Sequence, residues 1–411
     1  MAYLIKPLKV TVFCAVVVGV TFMTKTIATQ LSTQSVTQTA TTKLRVATFN
    51  VSMEALNYIK HSPNSTPNVS GNELTQALKQ NNQQIKNIAE IIQRVNPDII
   101  LLNEFDRVNN QHENIRYFIK NYLAKAQNGQ TAINYPYFYQ GPVNTGANIS
   151  VSNDKNSNQQ LTATHGFGYF EGHFGMVLLS KYPIDYNTIR TFQFFKWRDM
   201  PNALKPISPE TNQPWYSDSV WNELRLSSKS HWDIPINING KEIHILASHP
   251  TPPVFDGPEN RNGNRNHDEI RFWRDYINNT QANYIYDDSG KKGGLSPNKA
   301  FVILGDQNAS SVEGDAINSG IKSLLTNNKL QDPMPTSIGG ELYKTDNNNA
   351  KYHTAYWGMR ADYVLPSALD FTIKNSGVFW PQKKDETYRL IKDRAASSDH
   401  RLVWVDLELT L

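Results

Sequence analysis

The chain has 411 residues, 39% of them hydrophobic, and a formal net charge of +4. That is enough apolar material for a large core in one or two domains. The single cysteine, Cys14, lies near the amino terminus, so the rest of the chain has neither disulfides nor thiolate chemistry.

Lys6 and Lys9 precede the apolar run "VTVFCAVVVGVTF", and no acid occurs before Glu54. A positive segment followed by a short hydrophobic one is the layout of a secretory signal, and the run is short for a membrane span. Residues 1–28 are therefore expected to be a signal peptide, or an amino-terminal anchor if uncleaved, with a cut near Ala28. Val-Phe before Cys14 argues against a lipoprotein anchor. The Thr/Gln-rich residues 29–43 read as a disordered leader. Without Lys6, Lys9 and Lys25 the formal charge falls from +4 to +1. A near-neutral protein has no electrostatic basis for broad nucleic-acid binding.

From residue 44 onward strands and helices alternate. "LRVATFN" (44–50) is a short alternating strand. From Glu73, the residues Leu74, Leu78, Ile85, Ile88, Ile92 and Val95 recur at helical spacing until Asn96-Pro97. "DIILLNEF" follows as a buried strand, so strand, helix and strand form a βαβ-like unit of an α/β domain. "GPVNTGANISVSNDKNSNQQ" reads as a mobile surface loop. "GHFGMVLLSKYPI" is again a strand, with Met176 to Leu179 buried. The aromatic, proline-containing segment 190–232 has no clear period. "KEIHILASH" alternates as a strand, and "KAFVILGDQNAS" carries an apolar run from Ala300 to Leu304 suited to burial on both faces. "RADYVLPS" and "SSDHRLVWVDLEL" complete the series, as one domain over 44–411 without internal repeats.

These strands end in polar groups: Asn50, Glu104, His249, and Asp306 with Asn308. Asp362 opens "YVL", and Asp399-His400 opens the last strand. Strand ends lie side by side at a sheet rim, so residues distant in sequence can converge there. One such residue is ordinarily a turn or surface position; the repetition across separate strands points to a site. Carboxylate and carboxamide oxygens suit a hard cation such as Mg²⁺, with Mn²⁺ or Ca²⁺ as options. The lack of cysteines and of a His-x-x-x-His helix argues against zinc. On a continuing strand, Asp306 and Asn308 at i and i+2 leave the same face, while Gln307 points the other way.

The blocks "ATFNV", "PDIILLNEF", "GMVLLSKYPI", "ASH", "ILGDQNA", "RADYVLPS" and "SSDHRLVWVDL" together resemble the endonuclease/exonuclease/phosphatase superfamily, which includes DNase I-like nucleases, sphingomyelinases and inositol polyphosphate phosphatases. The resemblance implies a four-layer α/β sandwich: two packed mixed β-sheets flanked by helices. It implies Glu104 as the main ligand of a divalent metal, with Asn50 near it and Asp399 as a second carboxylate. It implies His400, oriented by Asp362, as general base or phosphoryl contact, and His249 as donor to the leaving oxygen or phosphate ligand. Asp306 would orient the attacking water and Asn308 would hold the phosphate. His173 falls at a position expected on the rim.

The segment after His249, "PTPPVFDGPENRNGNRNHDEIRFW", carries Arg261, Arg265, His267 and Arg271. Asn266 and Glu269 make a capping pair that predicts a helix starting near His267, with Ile270, Trp273 and Ile277 as its buried stripe. A helix start flanked by arginines suits an anion, so these four residues are candidate substrate ligands. The competing expectation pairs them with Glu259, Asp268 and Glu269. The expected function is that of an exported metal-dependent phosphoesterase acting on phosphate mono- or diesters, periplasmic or extracellular. A secreted nuclease with nucleic acid as substrate, a sphingomyelinase-type phospholipase using "RTFQFFKW" as a membrane loop, and a non-catalytic binding module are the alternatives. No stable protein partner is expected.

Overall fold

The computed structural model describes residues 8–15, 40–60, 65–108, 112–150 and 164–411. Residues 39–411 form one compact unit. Residues 8–15 precede it and have no helix or strand. The expected signal peptide and leader lie mostly outside the described residues, as do residues 151–160 of the expected surface loop. Among the described residues, no helix is long and apolar enough to cross a membrane.

Eleven strands form two sheets: β1 (Thr41–Met53), β2 (Ile99–Phe105), β3 (Tyr137–Tyr139), β4 (Met176–Ser180), β5 (Arg190–Thr191), β6 (His231–Ile238), β7 (Lys241–Ser248), β8 (Ala300–Asp306), β9 (Asp362–Pro366), β10 (Phe371–Val378) and β11 (Val403–Thr410). The first sheet has the order β10-β11-β1-β2-β4-β3 and the second β5-β6-β7-β8-β9. Each is mixed, with β1–β2 and β7–β8 parallel and the other pairs antiparallel. Among the described residues seven α-helices accompany them: α1 (Asn72–Lys79), α2 (Gln83–Val95), α3 (Glu113–Phe118), α4 (Asp218–Glu223), α5 (Arg261–Ile277), α6 (Ser319–Leu325) and α7 (Ile338–Tyr343).

Period-2 alternation sorts the strand residues into layers. Ile243, Ile245 and Ala247 of β7, Val302 and Leu304 of β8, and Val364 of β9 enter the core shared with the first sheet and α2. Their alternates Leu246, Phe301, Ile303, Tyr363 and Leu365 join a second core, under α5, with Ile270, Trp273 and Ile277. This is the expected four-layer sandwich, and β8 is buried on both faces as its apolar run requires. Each such aliphatic side chain contributes roughly 1.5–3 kcal/mol by leaving water.

Three local expectations change. The ladder starts at Thr41, because Thr41–Lys43 pair with Thr410, Leu409 and Glu408 of β11. The helical stretch 73–95 is two helices: Asn81 is left-handed at φ 56°, and the Asn82 side chain caps the second helix by accepting from the Gln84 amide at 2.8 Å. The aromatic segment after residue 190 is largely core, with Phe192, Phe195 and Trp197 buried and Phe194 facing solvent. Burial removes "RTFQFFKW" as a membrane loop.

His231, at the start of β6, shows how tightly this core is bonded. Its Nε2 donates to the Glu269 carbonyl at 2.9 Å and its Nδ1 accepts from Ser227 Oγ at 2.5 Å. Burial lowers its pKa to about 4. The neutral ring is thus favoured in the folded state; the stability it contributes is complete above about pH 6.5 and is lost as pH falls toward 4. Between pH 6.5 and 5.0 this side chain alone costs about 2 kcal/mol. Urea unfolding at the two pH values should show a stability drop in the parent that is smaller by that amount in His231→Gln.

Candidate active site

Strand direction and register bring the polar ends to one rim. β8 and β9 run antiparallel with Asp306 opposite Asp362. β11 runs antiparallel to β1, with Thr48 opposite Val403, so the residues before β11 reach the carboxyl end of β1 where Asn50 sits. β1 and β2 are parallel, with Asn50 beside Asn103, which places Glu104 next to it. The two sheets are tied together at this end by Asp306 N donating to Asn103 Oδ1 at 3.2 Å. Gly305 permits the approach: at φ 144° a Cβ there would lie 2.0 Å from the Ser248 carbonyl oxygen.

Two poles result. In the first, Asp306 is the hub. Asp306 Oδ2 lies 3.2 Å from Asn50 Nδ2, 3.4 Å from His249 Nε2 and 3.5 Å from His400 Nε2. Nδ1 of His400 bonds to Asp362 at 2.9 Å, and Asp362 also accepts from Thr354 Oγ1 at 2.7 Å. Burial alone would lower the His400 pKa, but Asp362 and Asp306 raise it to about 10. With both ring nitrogens facing carboxylates, the imidazolium form of the ring is favoured. Burial would raise Asp306, yet His400 and His249 hold it well below the usual carboxylate range. Burial pushes Asp362 up to about 6. Burial and the Lys229 charge lower His249 to about 4, so it is neutral; its Nδ1 is buried without a partner. The Trp357 ring stands edge-on to His400 at 4.9 Å.

The second pole is acidic. Burial and the Asp399 charge raise Glu104 to about 7, opposed by a hydrogen bond from Asn50. Asn50 therefore links the poles. Glu104 holds a left-handed φ of 55°, a strained conformation typical of functional positions. Asp399 accepts from Ser52 Oγ at 3.0 Å. Glu54, which sequence reasoning missed, adds a third carboxylate; it is fixed by the Leu56 amide at 2.7 Å and His173 Nε2 at 3.1 Å. His173 is thus buried rather than on the rim, and it positions Glu54. The Arg394 guanidinium lies 3.6 Å from Asp399 and 3.9 Å from Glu54.

Two groupings have donors for a cation. Ligand atoms of Asp306, Asp362 and His400 lie within 4.8 Å of one another, but an imidazolium has no lone pair to offer. The Glu104–Asp399 pair, with Glu54 adjacent, offers hard oxygens whose mutual repulsion a divalent ion relieves, and its chemistry fits Mg²⁺.

Asn308 departs from its expected geometry. β8 stops at Asp306, and Asn308 is left-handed at φ 51°, its amide N donating to Asp306 Oδ1 at 2.9 Å and its Nδ2 to the Pro250 carbonyl at 3.1 Å. Gln307 is buried and donates to Ser248 Oγ at 3.2 Å.

The helix α5 begins at Arg261, six residues before the expected start. Asn262 N donates to the Asp256 carboxylate at 2.7 Å, so a carboxylate of the chain itself occupies the helix start. Asn266 and Glu269 are interior rather than caps: Asn266 Nδ2 donates to the Thr251 and Gln307 carbonyls, and Glu269 accepts from the Ser228 and Thr251 amides, both at 2.6 Å. Arg261 pairs with Glu259, while His267 and Arg271 pair with Asp268. Arg265 is buried and donates to the Leu226, His165 and Arg225 carbonyls. Only Arg261 and Arg265 of the four line the cavity of about 550 Å³ that opens beside Glu54 and Glu104.

Lys229 lines the same cavity and was also missed. It is buried, burial lowers its pKa, and Glu104 and Asp306 are among the charges acting on it. No protein acceptor meets its Nζ among the described residues. The hairpin register, with His231 opposite Ser248, puts Lys229 beside the His249 end of β7, so the pairing of these two strands was the available signal.

Two mixed sheets joined at a rim bearing a His–Asp pole and an acidic pole make this an α/β sandwich with a polar centre at its strand ends. The family model described as "Endonuclease/Exonuclease/phosphatase family" matches residues 47–400, and the chain belongs to that family. Its members include phosphatases, nucleases and phospholipase-like enzymes. Among solved structures, an endonuclease/exonuclease/phosphatase from Beutenbergia cavernae is 16% identical with a TM-score of 0.48, covering 89% of this chain and 72% of that one. The human Nocturnin catalytic domain with bound sulfate is 12% identical, TM-score 0.45, covering 91% and 97%. Beta toxin from Staphylococcus aureus, a mutant with bound magnesium ions, is 15% identical, TM-score 0.41, covering 89% and 99%. No curated protein matches the chain.

Removing the Asp362 carboxylate removes the largest support for the charged His400 ring. Histidine NMR should show a His400 resonance still protonated at pH 8 in the parent. In Asp362→Asn the midpoint should move down by at least one pH unit; an unmoved midpoint would refute the pairing.

Proposed function

We propose that this protein is a divalent-metal-dependent phosphoesterase that hydrolyses phosphoric esters by attack of water on phosphorus. One observation supports it most: the buried His400 ring, clamped by Asp362 and Asp306, lies one Asn50 side chain away from the Glu104–Asp399 pair. A proton-bearing group, an ionised carboxylate and a cation seat are thereby within reach of one phosphate.

Asp306, held ionised, accepts a hydrogen bond from the attacking water and orients it; as the water oxygen bonds to phosphorus, its proton passes through this weakly basic carboxylate without staying on it. His400 donates to a non-bridging phosphoryl oxygen, which favours the contact role over the general-base role. Lys229 holds another such oxygen with its unpartnered ammonium. Neutral His249 serves as a hydrogen-bond group, not as a proton source. Glu104 and Asp399, with Glu54 beside them, would hold the divalent cation. When bound, that cation supplies positive charge to the phosphate and to the oxygen whose bond to phosphorus breaks. The departing oxygen takes the water's proton as its bond to phosphorus breaks, so the alcohol leaves and phosphate or a phosphomonoester remains. The amino-terminal Lys6/Lys9 and apolar run support export, so we place the enzyme outside the cytoplasm.

Purified protein should hydrolyse p-nitrophenyl phosphate or bis-p-nitrophenyl phosphate. EDTA should abolish turnover, and Mg²⁺, Mn²⁺ or Ca²⁺ should restore it. Glu104→Gln and Lys229→Met should each lower kcat/KM by about 10²-fold or more. Turnover that survives complete chelation, or none on any ester with any of the three ions, would overturn the reading.

A further inference from the structure

The cavity beside Glu104 is walled by rings, and its construction bears on what the phosphate is attached to. At about 550 Å³ it has the size of a small-molecule site rather than of an open face for a duplex. Phe167 and Phe174 form one wall, with ring centroids 6.3 Å apart and planes 27° from parallel. Phe174 stacks in turn on His173 at 3.7 Å, and His173 bonds to Glu54. That wall is therefore pinned to the acidic pole and cannot drift from it.

Phe255 lines the same cavity, 86% exposed and left-handed at φ 65°. An exposed phenylalanine in a strained backbone conformation gains nothing from its own packing. Three bonds nevertheless hold its loop in place. Asn262 Nδ2 donates to the Val254 carbonyl at 2.6 Å, Arg261 Nη2 to the Phe255 carbonyl at 3.2 Å, and Asn262 N to Asp256. Phe167, which lines the same cavity, is likewise 52% exposed. Two exposed rings lining one cavity offer apolar faces against which a third ring can pack.

We infer that the site acts on a low-molecular-weight phosphoester whose esterified group carries a flat ring system, of aryl or nucleoside type. The ring lies in this cavity against Phe167 and Phe255, and the phosphate reaches Lys229 and the two poles. This rests on the phosphoesterase reading for the chemistry but concerns recognition, which binding measures separately.

The test compares two non-hydrolysable anions, phenylphosphonate and methylphosphonate, on the full chain with Mg²⁺. Affinity is read by calorimetry, with inhibition of p-nitrophenyl ester hydrolysis as a second readout. Phenylphosphonate should bind about tenfold more tightly. Phe167→Ala/Phe255→Ala should reduce that ratio to below about threefold, and Phe255→Leu should give an intermediate value. Circular dichroism confirms that these surface variants fold. Equal binding of the two anions, or a ratio unchanged in the double variant, would overturn the inference. So would a single-stranded oligonucleotide that competes better than a mononucleotide, because the ring would then belong to a polymer outside the chamber. Absence of hydrolysis with the binding preference intact would instead count against the enzymatic reading alone.

Discussion

The buried carboxylate of Asp306 is the constraint on which the site depends. Removing an anion from water costs several kcal/mol unless charges and donors surround it. Here an asparagine amide from β1, a histidine from the end of β7 and an imidazolium from the start of β11 all approach one of its oxygens. Those partners come from both sheets, so the balance of that charge is also the joint between the two layers. The Asn103 bond to the Asp306 amide reinforces it from the backbone side. The functional rim and the fold are therefore stabilised by the same contacts.

The environment also separates carboxylates that are chemically alike. Glu104 is pushed up to about 7 by burial and a neighbouring acid, whereas Asp306 is pulled down by two histidines. Pairs driven apart in this way divide roles between them. One acid suits a cation that would relieve its repulsion, and the other, held ionised, suits orienting a water molecule. A chain of formal charge +4 thus concentrates strong local fields in buried groups.

Much of this was legible in the sequence. The apolar run 300–304 announced a strand buried on both faces, and six polar strand ends announced a rim. What escaped lay where chain reversal, not periodicity, decides geometry. Asn308 follows a left-handed turn, so the i, i+2 rule for strands ended at Asp306. The break at Asn81-Asn82 is hidden because apolar residues on its two sides stay in helical phase. Glu54 lies beyond the expected end of β1, and Lys229 becomes meaningful only when β6 is paired with β7. The capping signal at Asn266 and Glu269 misled because a buried helix can use the same side chains to bind strand-end backbone.

That use of α5 has a consequence for its replacement. A segment that looks like a removable decoration sends Asn266 to the carbonyls of Thr251 and Gln307 and Glu269 to the amides of Ser228 and Thr251. The chamber wall and the chemical centre therefore share struts. Replacing α5 in this chain would thus also strip partners from the backbone at the ends of β7 and β8.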